Sequence, residues 1–560
     1  MRPAPSGPSV ATVHRPGNLA GVPVWLHGGL GAHVVLMCGA FGGEAQAAYQ
    51  SWTLLADMLG ANGMSAVRFD WPGEGDASDL PHDASALEAA MAQVRLLFQA
   101  LHAWPGVVAV SVIGMRLGAL IASRALENCD IARLVLIEPV TGGRRYLREM
   151  TAQARLTGST EPDHVIVQGF SLSRLTASGL ERLDLQPLPE ARHVLIAADG
   201  EAGSEADGTI ERRDGAGYAA MMAPNAMTPP VALFEGITRW IGQTPTEPLA
   251  EPLALAPPIL AFADGHEERL RFGSGHRLAG VLCRPATPAA GQACVLMPNA
   301  GPNPRHGWGR MAVEHARGLA RQGIASLRFD LGGLGDAQAE AASPRSAVYR
   351  PGHQLDLREA VDLAQSLGFE RIVVSGVCSG GYLALHAAYE DRRIDAAICT
   401  NVLKLLWKDT DDLDRYEQQA LQSADQYRSR ALSGALWKRL LAGEIGPDKV
   451  WRVARLMAGR AITAILEPLG IEQRASDDAI HLRAMVQAIS GRGGRLSFAF
   501  ADGDASRDEA ERQFGPGCRA VSGLAGVDII ALGPSDHELS NRKARDRLLI
   551  LTADHALARG

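Results

Sequence analysis

The chain has few cysteines, no basic surplus and no long apolar run, and each shortage removes a class of protein. Its seven cysteines, at positions 38, 129, 283, 294, 378, 399 and 518, are odd in number and far apart. They form no Cys-x-x-Cys pair, which argues against a zinc ribbon or a thioredoxin motif and for a reduced, cytosolic compartment. Lysine and arginine number 55 against 62 acidic residues, a net charge of −7, so bulk electrostatics offers nothing to nucleic acid. Apolar runs such as 107–113 fall far short of the roughly 20 residues of a membrane span. Residues 1–19 are rich in Pro, Gly and Ser, lack an apolar core, and read as an unstructured lead-in rather than a signal peptide. Phosphate-loop and dinucleotide motifs are missing, so no cofactor and no metal are expected. What remains, at 46% apolar and 21% charged over 560 residues, is a folded protein too long for one domain.

What the chain does have is self-similarity. Val67-Arg-Phe-Asp-Trp-Pro-Gly-Glu-Gly-Asp76 returns 260 residues on as Leu327-Arg-Phe-Asp-Leu-Gly-Gly-Leu-Gly-Asp336. Val112-Ile-Gly-Met-Arg-Leu-Gly118 returns 262 residues on as Val374-Ser-Gly-Val-Cys-Ser-Gly380. A period this long means two whole domains rather than a solenoid. Between them prolines crowd at 245, 248, 252, 257 and 258, which favours an extended linker. The reading is a first domain at 20–242, a linker at 243–264 and a second domain at 265–560. Short apolar runs in each half read as buried parallel strands: 34–38, 65–69, 109–113, 134–137 and 193–197, then 293–297, 325–329, 372–375, 396–399 and 496–500. Helical patterns between them, as at 311–322 and 355–367, give an α/β fold with a mostly parallel sheet covered on both faces. Residues 403–495 break the rhythm with Arg- and Leu-rich helical stretches, either a lid over a cleft or a helical elaboration of the surface.

The segment from Arg371 to Tyr389 carries the chemistry. A strand is expected to end at Ser375 and a helix to begin near Gly380, with Gly376-x-Cys378-x-Gly380 as a nucleophile elbow between them. Glycines are needed where side chains would strike the neighbouring strand and helix. The apex side chain is lifted into a field of backbone N–H groups at a helix start, where a thiol gives up its proton more readily. The pattern resembles the α/β-hydrolase superfamily over nearly all of residues 265–560. Cysteine at the apex is similar to dienelactone hydrolases and polyhydroxyalkanoate synthases. Local wording (Asn299-Ala-Gly301, the 328–336 stretch and Trp437-Lys-Arg-Leu-Leu-Ala-Gly443) is similar to the hydrolases of exosortase and capsule loci.

That resemblance orders the catalytic residues as nucleophile, acid, histidine. It implies Cys378 as nucleophile, with Ser379 a poorer choice one place off the apex. It implies Asp504 as acid, with Asp502 the alternative, after the strand 496–500. It implies His537 after the last strand, 527–532, and before a final helix over 542–557. Oxyanion donors would be the backbone of Ser379 and of Ala300 or Gly301. His306, in that second loop, could touch substrate but reads more readily as a solvent-facing histidine. Asp330 and Asp336 read as turn-forming residues, His386 as structural, and Cys283, Cys294 and Cys399 as core cysteines. The first copy keeps the elbow spacing but has Arg116 at its apex, which is no nucleophile. Asp199 could mimic the acid, but the loop at 211–230 holds no histidine. Arg116 is either a site for an anion or paired internally, in a domain that packs against its twin.

The expectation is therefore two tandem α/β-hydrolase domains, the first degenerate. The activity expected is an acyl hydrolase, an esterase or thioesterase working through an S-acyl enzyme on a small-molecule or carrier-bound acyl substrate. Transfer of the acyl group to another acceptor is the first alternative, and a non-catalytic binding or scaffold protein the second.

Overall fold

The computed structural model describes residues 14–81, 84–156, 160–161, 164–167, 170–200, 203–204, 209–222, 228–244, 247–338, 348–408, 411 and 476–558. These group into two compact units. One holds the described residues up to Gln292 and those from Met297 to 338; the other holds Ala293–Leu296 and the described residues from Val348 on. Among the described residues no helix is long and apolar enough to cross a membrane.

In chain order the strands are β1 (Arg15–Leu19), β2 (Val22–His27), β3 (His33–Cys38), β4 (Ser65–Phe69), β5 (Ala109–Met115), β6 (Leu134–Ile137), β7 (Thr160–Glu161), β8 (His164–Val167), β9 (Phe170–Ser173), β10 (Val194–Ala198), β11 (Gly203–Ser204) and β12 (Ile210–Asp214). They continue as β13 (Ile259–Phe262), β14 (Gly265–Phe272), β15 (Leu278–Pro285), β16 (Ala293–Pro298), β17 (Ala325–Asp330), β18 (Arg371–Val377), β19 (Ile394–Thr400), β20 (Arg495–Asp502) and β21 (Val527–Pro534). The first sheet runs β1-β2-β4-β3-β5-β6-β10-β12-β11 and the second β13-β14-β15-β17-β16-β18-β19-β20-β21, while β7, β8 and β9 make a small sheet of their own. Strands β1, β2 and β4 are antiparallel, β4, β3, β5, β6, β10 and β12 are parallel, and β11 is antiparallel to β12. In the second sheet β13, β14, β15 and β17 are antiparallel, and β16, β18, β19, β20 and β21 parallel. The order β1-β2-β4-β3-β5-β6-β10-β12 therefore recurs as β14-β15-β17-β16-β18-β19-β20-β21. This is the α/β-hydrolase arrangement, present twice.

Alternation along the strands explains the layers. In β3, Val34, Leu36 and Cys38 face one core with Val94 and Leu120 of the helices Ala86–His102 and Leu117–Ala125. Val35 and Met37 face the other, with Leu55 and Ile237 of Gly42–Ala61 and Val231–Ile241. Every apolar run read as a strand is one, though 325–329 pairs antiparallel with β15. The leading antiparallel strands were not read, for visible reasons. Strand β1 lies inside the expected lead-in, its Pro16 tolerated at a sheet edge. Strand β14 hides its inward face behind charge: Glu267 and Arg269 are 2% and 4% exposed. The proline-rich segment differs from a free linker too. Leu249 and Leu253 donate backbone hydrogen bonds to Leu30 and Gly29, Ala256 bridges Asn18, and β13 begins directly after Pro257-Pro258. Of the helical insertion, the helix Asp477–Gly491 is described; 409–410 and 412–475, with Trp437 and its neighbours, lie outside the described residues.

The repeated Arg-Phe-Asp…Gly-Asp stretch builds a buried ion network in the first unit. In each copy the first aspartate caps its own turn: Asp70 Oδ2 accepts from Asp76 N (2.9 Å) and Asp330 Oδ2 from Asp336 N (3.0 Å). Glycine is required between them, since a Cβ on Gly75 or Gly335 would lie 2.4 or 2.3 Å from that carboxylate. The arginine and last aspartate cross over. Arg68 binds Asp336, and Arg328 binds Asp76 at 3.2 Å. At the centre Arg305, fully buried, pairs with Asp76 (2.6 Å), Asp330 (2.5 Å) and Asp336 (2.7 Å). Beside it His14, His27 and Asp57 converge as a ligand-like trio. Arg68 donates to His27 Nε2 and Arg271 to His14 Nε2, so both rings carry their protons on Nδ1 and have no lone pair there for a metal.

Removing one partner of a buried network leaves uncompensated charge, at a cost of about 3–5 kcal/mol. Asp336→Asn should destabilise the first unit by that order in urea unfolding followed by tryptophan fluorescence, whereas breaking the exposed Arg192–Asp130 pair should leave the curve unchanged. Burial pushes the Asp336 carboxyl up, but Arg68 and Arg305 outweigh it and hold it well below the usual range. Its contribution is thus complete above the ordinary aspartate value near 4 and is lost as pH falls through the depressed one.

Candidate active site

The elbow is tighter than the sequence suggests. Strand β18 runs to Val377 and the next helix, Ser379–Glu390, starts at once, so the turn is Cys378 alone. Cys378 has φ 54° and ψ −119°, a conformation side chains avoid, at a cost of order 1–3 kcal/mol. Its N–H is tied to Thr400 O at 2.9 Å. Close approach explains the glycines: a Cβ on Gly376 would lie 2.0 Å from Gly380 O, and one on Gly381, which sequence reasoning passed over, 2.6 Å from Val402. Cys378 is partly exposed, whereas Cys283, Cys294 and Cys399 are buried as expected. Burial pushes the Cys283 thiol up to about 12.

The structure brings His537 and Asp504 together with the elbow. His537 follows β21, and its Nδ1 donates to Asp504 Oδ2 at 2.9 Å. Asp504 caps the helix Ala505–Phe514, its Oδ1 accepting from Ser506 N at 2.9 Å and from the Ser506 hydroxyl. That fixes Asp504 and leaves Asp502 exposed at the strand end. His537 Nε2 is buried without a regularly aligned hydrogen bond. Burial lowers the imidazole pKa, but the nearby Cys378 sulfur joins Asp504 in holding it well above the usual value. Asp504 is held low, burial being outweighed by His537 and Ser506. Glu538, beside the histidine, is pushed up to about 7 by burial and by Asp536.

A positioning residue escaped the sequence reading. Asn401, buried after β19 with φ 48°, donates from Nδ2 to His537 O (2.8 Å) and accepts at Oδ1 from Ala501 N (2.9 Å). It ties the histidine loop to the acid strand. Its only signal was an amide side chain at the carboxyl edge of a parallel strand. Among the expected oxyanion donors, Ser379 opens the helix after Cys378, and Ala300 and Gly301 follow β16 in the first unit. There Asn299 shapes the loop, bonding Asp330 Oδ1 (3.0 Å) and Leu331 N (2.6 Å). His306 is not solvent-facing: it is 6% exposed and packs edge-on against Tyr49. His386 is structural, Nε2 against Leu405 O at 2.9 Å.

The first copy repeats the bend with an arginine at its apex. Arg116 has φ 52° and ψ −122°, and its N–H is tied to Ile137 O at 3.0 Å. Its guanidinium pairs with Glu44 at 2.8 Å, so an anion would have to displace that carboxylate. Glu138, with φ 43°, stands where Asn401 stands and accepts from Asp199 N at 2.6 Å. Strand β12 occupies the start of the expected histidine loop.

No family model and no curated protein matches this chain. Solved structures do resemble it. The α/β hydrolase GrgF from Penicillium sp. sh18 is 20% identical, covering 52% of this chain and 99% of its own, with a TM-score of 0.32. The Pyrococcus furiosus esterase Pf2001 is 12% identical over 52% of this chain and 91% of its own, and the Mycobacterium smegmatis proline iminopeptidase 16% over 52% and 99%, each again with a TM-score of 0.32. Each aligns with about half of the chain.

Two outcomes follow for the site. A histidine with raised pKa stays charged past the free value of 6.5, so the His537 ring resonances should show no midpoint there in an NMR titration, and Cys378→Ala should bring the midpoint down. The pair's stability is complete below 6.5 and is lost as pH rises through the raised value. Asn401→Ala should lower kcat more than it changes KM, a loss that Asn401→Asp only partly restores.

Proposed function

We propose that the protein is an acyl hydrolase acting on ester or thioester bonds through Cys378. The observation that carries this reading is Cys378 alone at the bend beside an imidazole that Asp504 holds by Nδ1. The Cys378 sulfur attacks the carbonyl carbon and a C–S bond forms. The backbone N–H of Ser379, which opens the helix after Cys378, faces the oxyanion. His537 gives its Nε2 proton to the departing alcohol or thiol, leaving an S-acyl enzyme. Water then attacks the thioester, His537 takes its proton, and the acid leaves as the thiolate re-forms. Asp504 keeps the tautomer that makes both transfers possible. A thioester intermediate also reacts with thiols and alcohols, so transfer to such an acceptor is the second reading. Among the described residues no cysteine is in a disulfide, which suits a reducing, cytosolic compartment.

Hydrolysis of p-nitrophenyl acetate tests this. Cys378→Ala and His537→Ala should fall to background, Asp504→Asn should lose about 10³–10⁴-fold in kcat, and Arg116→Ala should behave as wild type. Activity surviving in Cys378→Ala would overturn Cys378 as the nucleophile, and a wild type without ester or thioester hydrolysis would favour a scaffold. Added methanol diverting product to methyl acetate would favour transfer.

A further inference from the structure

The first unit holds a cavity of about 50 Å³ that the reaction above does not use. It lies between the helix Gly42–Ala61 and the carboxyl ends of β3 and β4, and is several times the ~10–15 Å³ that one water needs. Trp52, Trp71, Tyr49 and Phe170 give it an aromatic wall. Its polar lining is short of donors. Gln46 is only 7% exposed; its Nε2 donates to Asn303 Oδ1 at 2.7 Å, but its buried Oε1 has no hydrogen-bond partner. Among the described residues the Glu74 carboxylate accepts from Gly42 N, at 3.0 and 3.1 Å; burial, helped by Asp70 and opposed by Gly42 and Arg310, pushes its pKa up to about 7. Arg68 also lines the space, but its guanidinium is engaged by Asp336 and His27. With that guanidinium engaged, an anion would meet the Asp70 and Glu74 carboxylates and the Gln46 acceptor.

We infer that this cavity binds a compact organic ammonium ion, its N–H groups on Gln46 Oε1 and Glu74 and its carbon beside the aromatic wall. The site is separate from Cys378 and is best tested where that residue cannot act. Isothermal titration of full-length Cys378→Ala protein with methylammonium chloride should show saturable one-site binding that sodium chloride and sodium acetate do not give. Glu74→Gln should weaken it about tenfold or more, and Gln46→Leu should weaken it too. Ala45→Leu, which fills the space without altering charge, should abolish it and serves if Glu74→Gln fails to fold. No saturable heat with methylammonium, equal binding in Glu74→Gln, or preferential binding of acetate would each overturn the assignment.

Discussion

One backbone conformation underlies the arrangement: a single residue with φ near 50° and ψ near −120°, set between a parallel strand and the helix that follows it. The same bend occurs twice, at Arg116 and Cys378, each tied by its N–H to the neighbouring strand and each flanked by glycines that admit the close approach. The fold supplies the strained platform in both copies. Chemistry depends on what the platform carries and on what meets it. At Cys378 an imidazole and a carboxylate meet a sulfur. At Arg116 a glutamate neutralises a guanidinium.

The other repeated stretch has a different use. Its aspartates cap their own turns, and its arginines and terminal aspartates are exchanged between the copies around Arg305. Buried ion pairs are costly to desolvate and gain little over apolar packing, but they are intolerant of mispairing. A network in which each copy completes the other gives the motif a structural reason to recur in both copies.

Much of this was legible in the sequence because parallel strands buried on both faces are continuous apolar runs. The chain order of Cys378, Asp504 and His537 after successive strands was legible, whereas the bond of His537 to Asp504 rather than Asp502 and the cap on Ser506 came only with the structure. Missed features share a cause: polar residues turned inward. Strand β14 carries Glu267 and Arg269 into the network, His306 is buried although it lies in a loop, and Asn401 acts through backbone groups that no side-chain pattern reveals. Edge strands such as β1 and β13 were masked by proline, whose fixed φ an edge tolerates.

The central claim is that Cys378 becomes acylated with His537 as its proton partner. Incubating the intact protein with a slowly turned-over aryl ester, followed by mass spectrometry of the whole chain and its peptides, measures this directly. The account predicts one acyl group, mapped to Cys378, absent in Cys378→Ala and strongly slowed in His537→Ala. An unmodified Cys378, or an adduct formed equally well without His537, would contradict it.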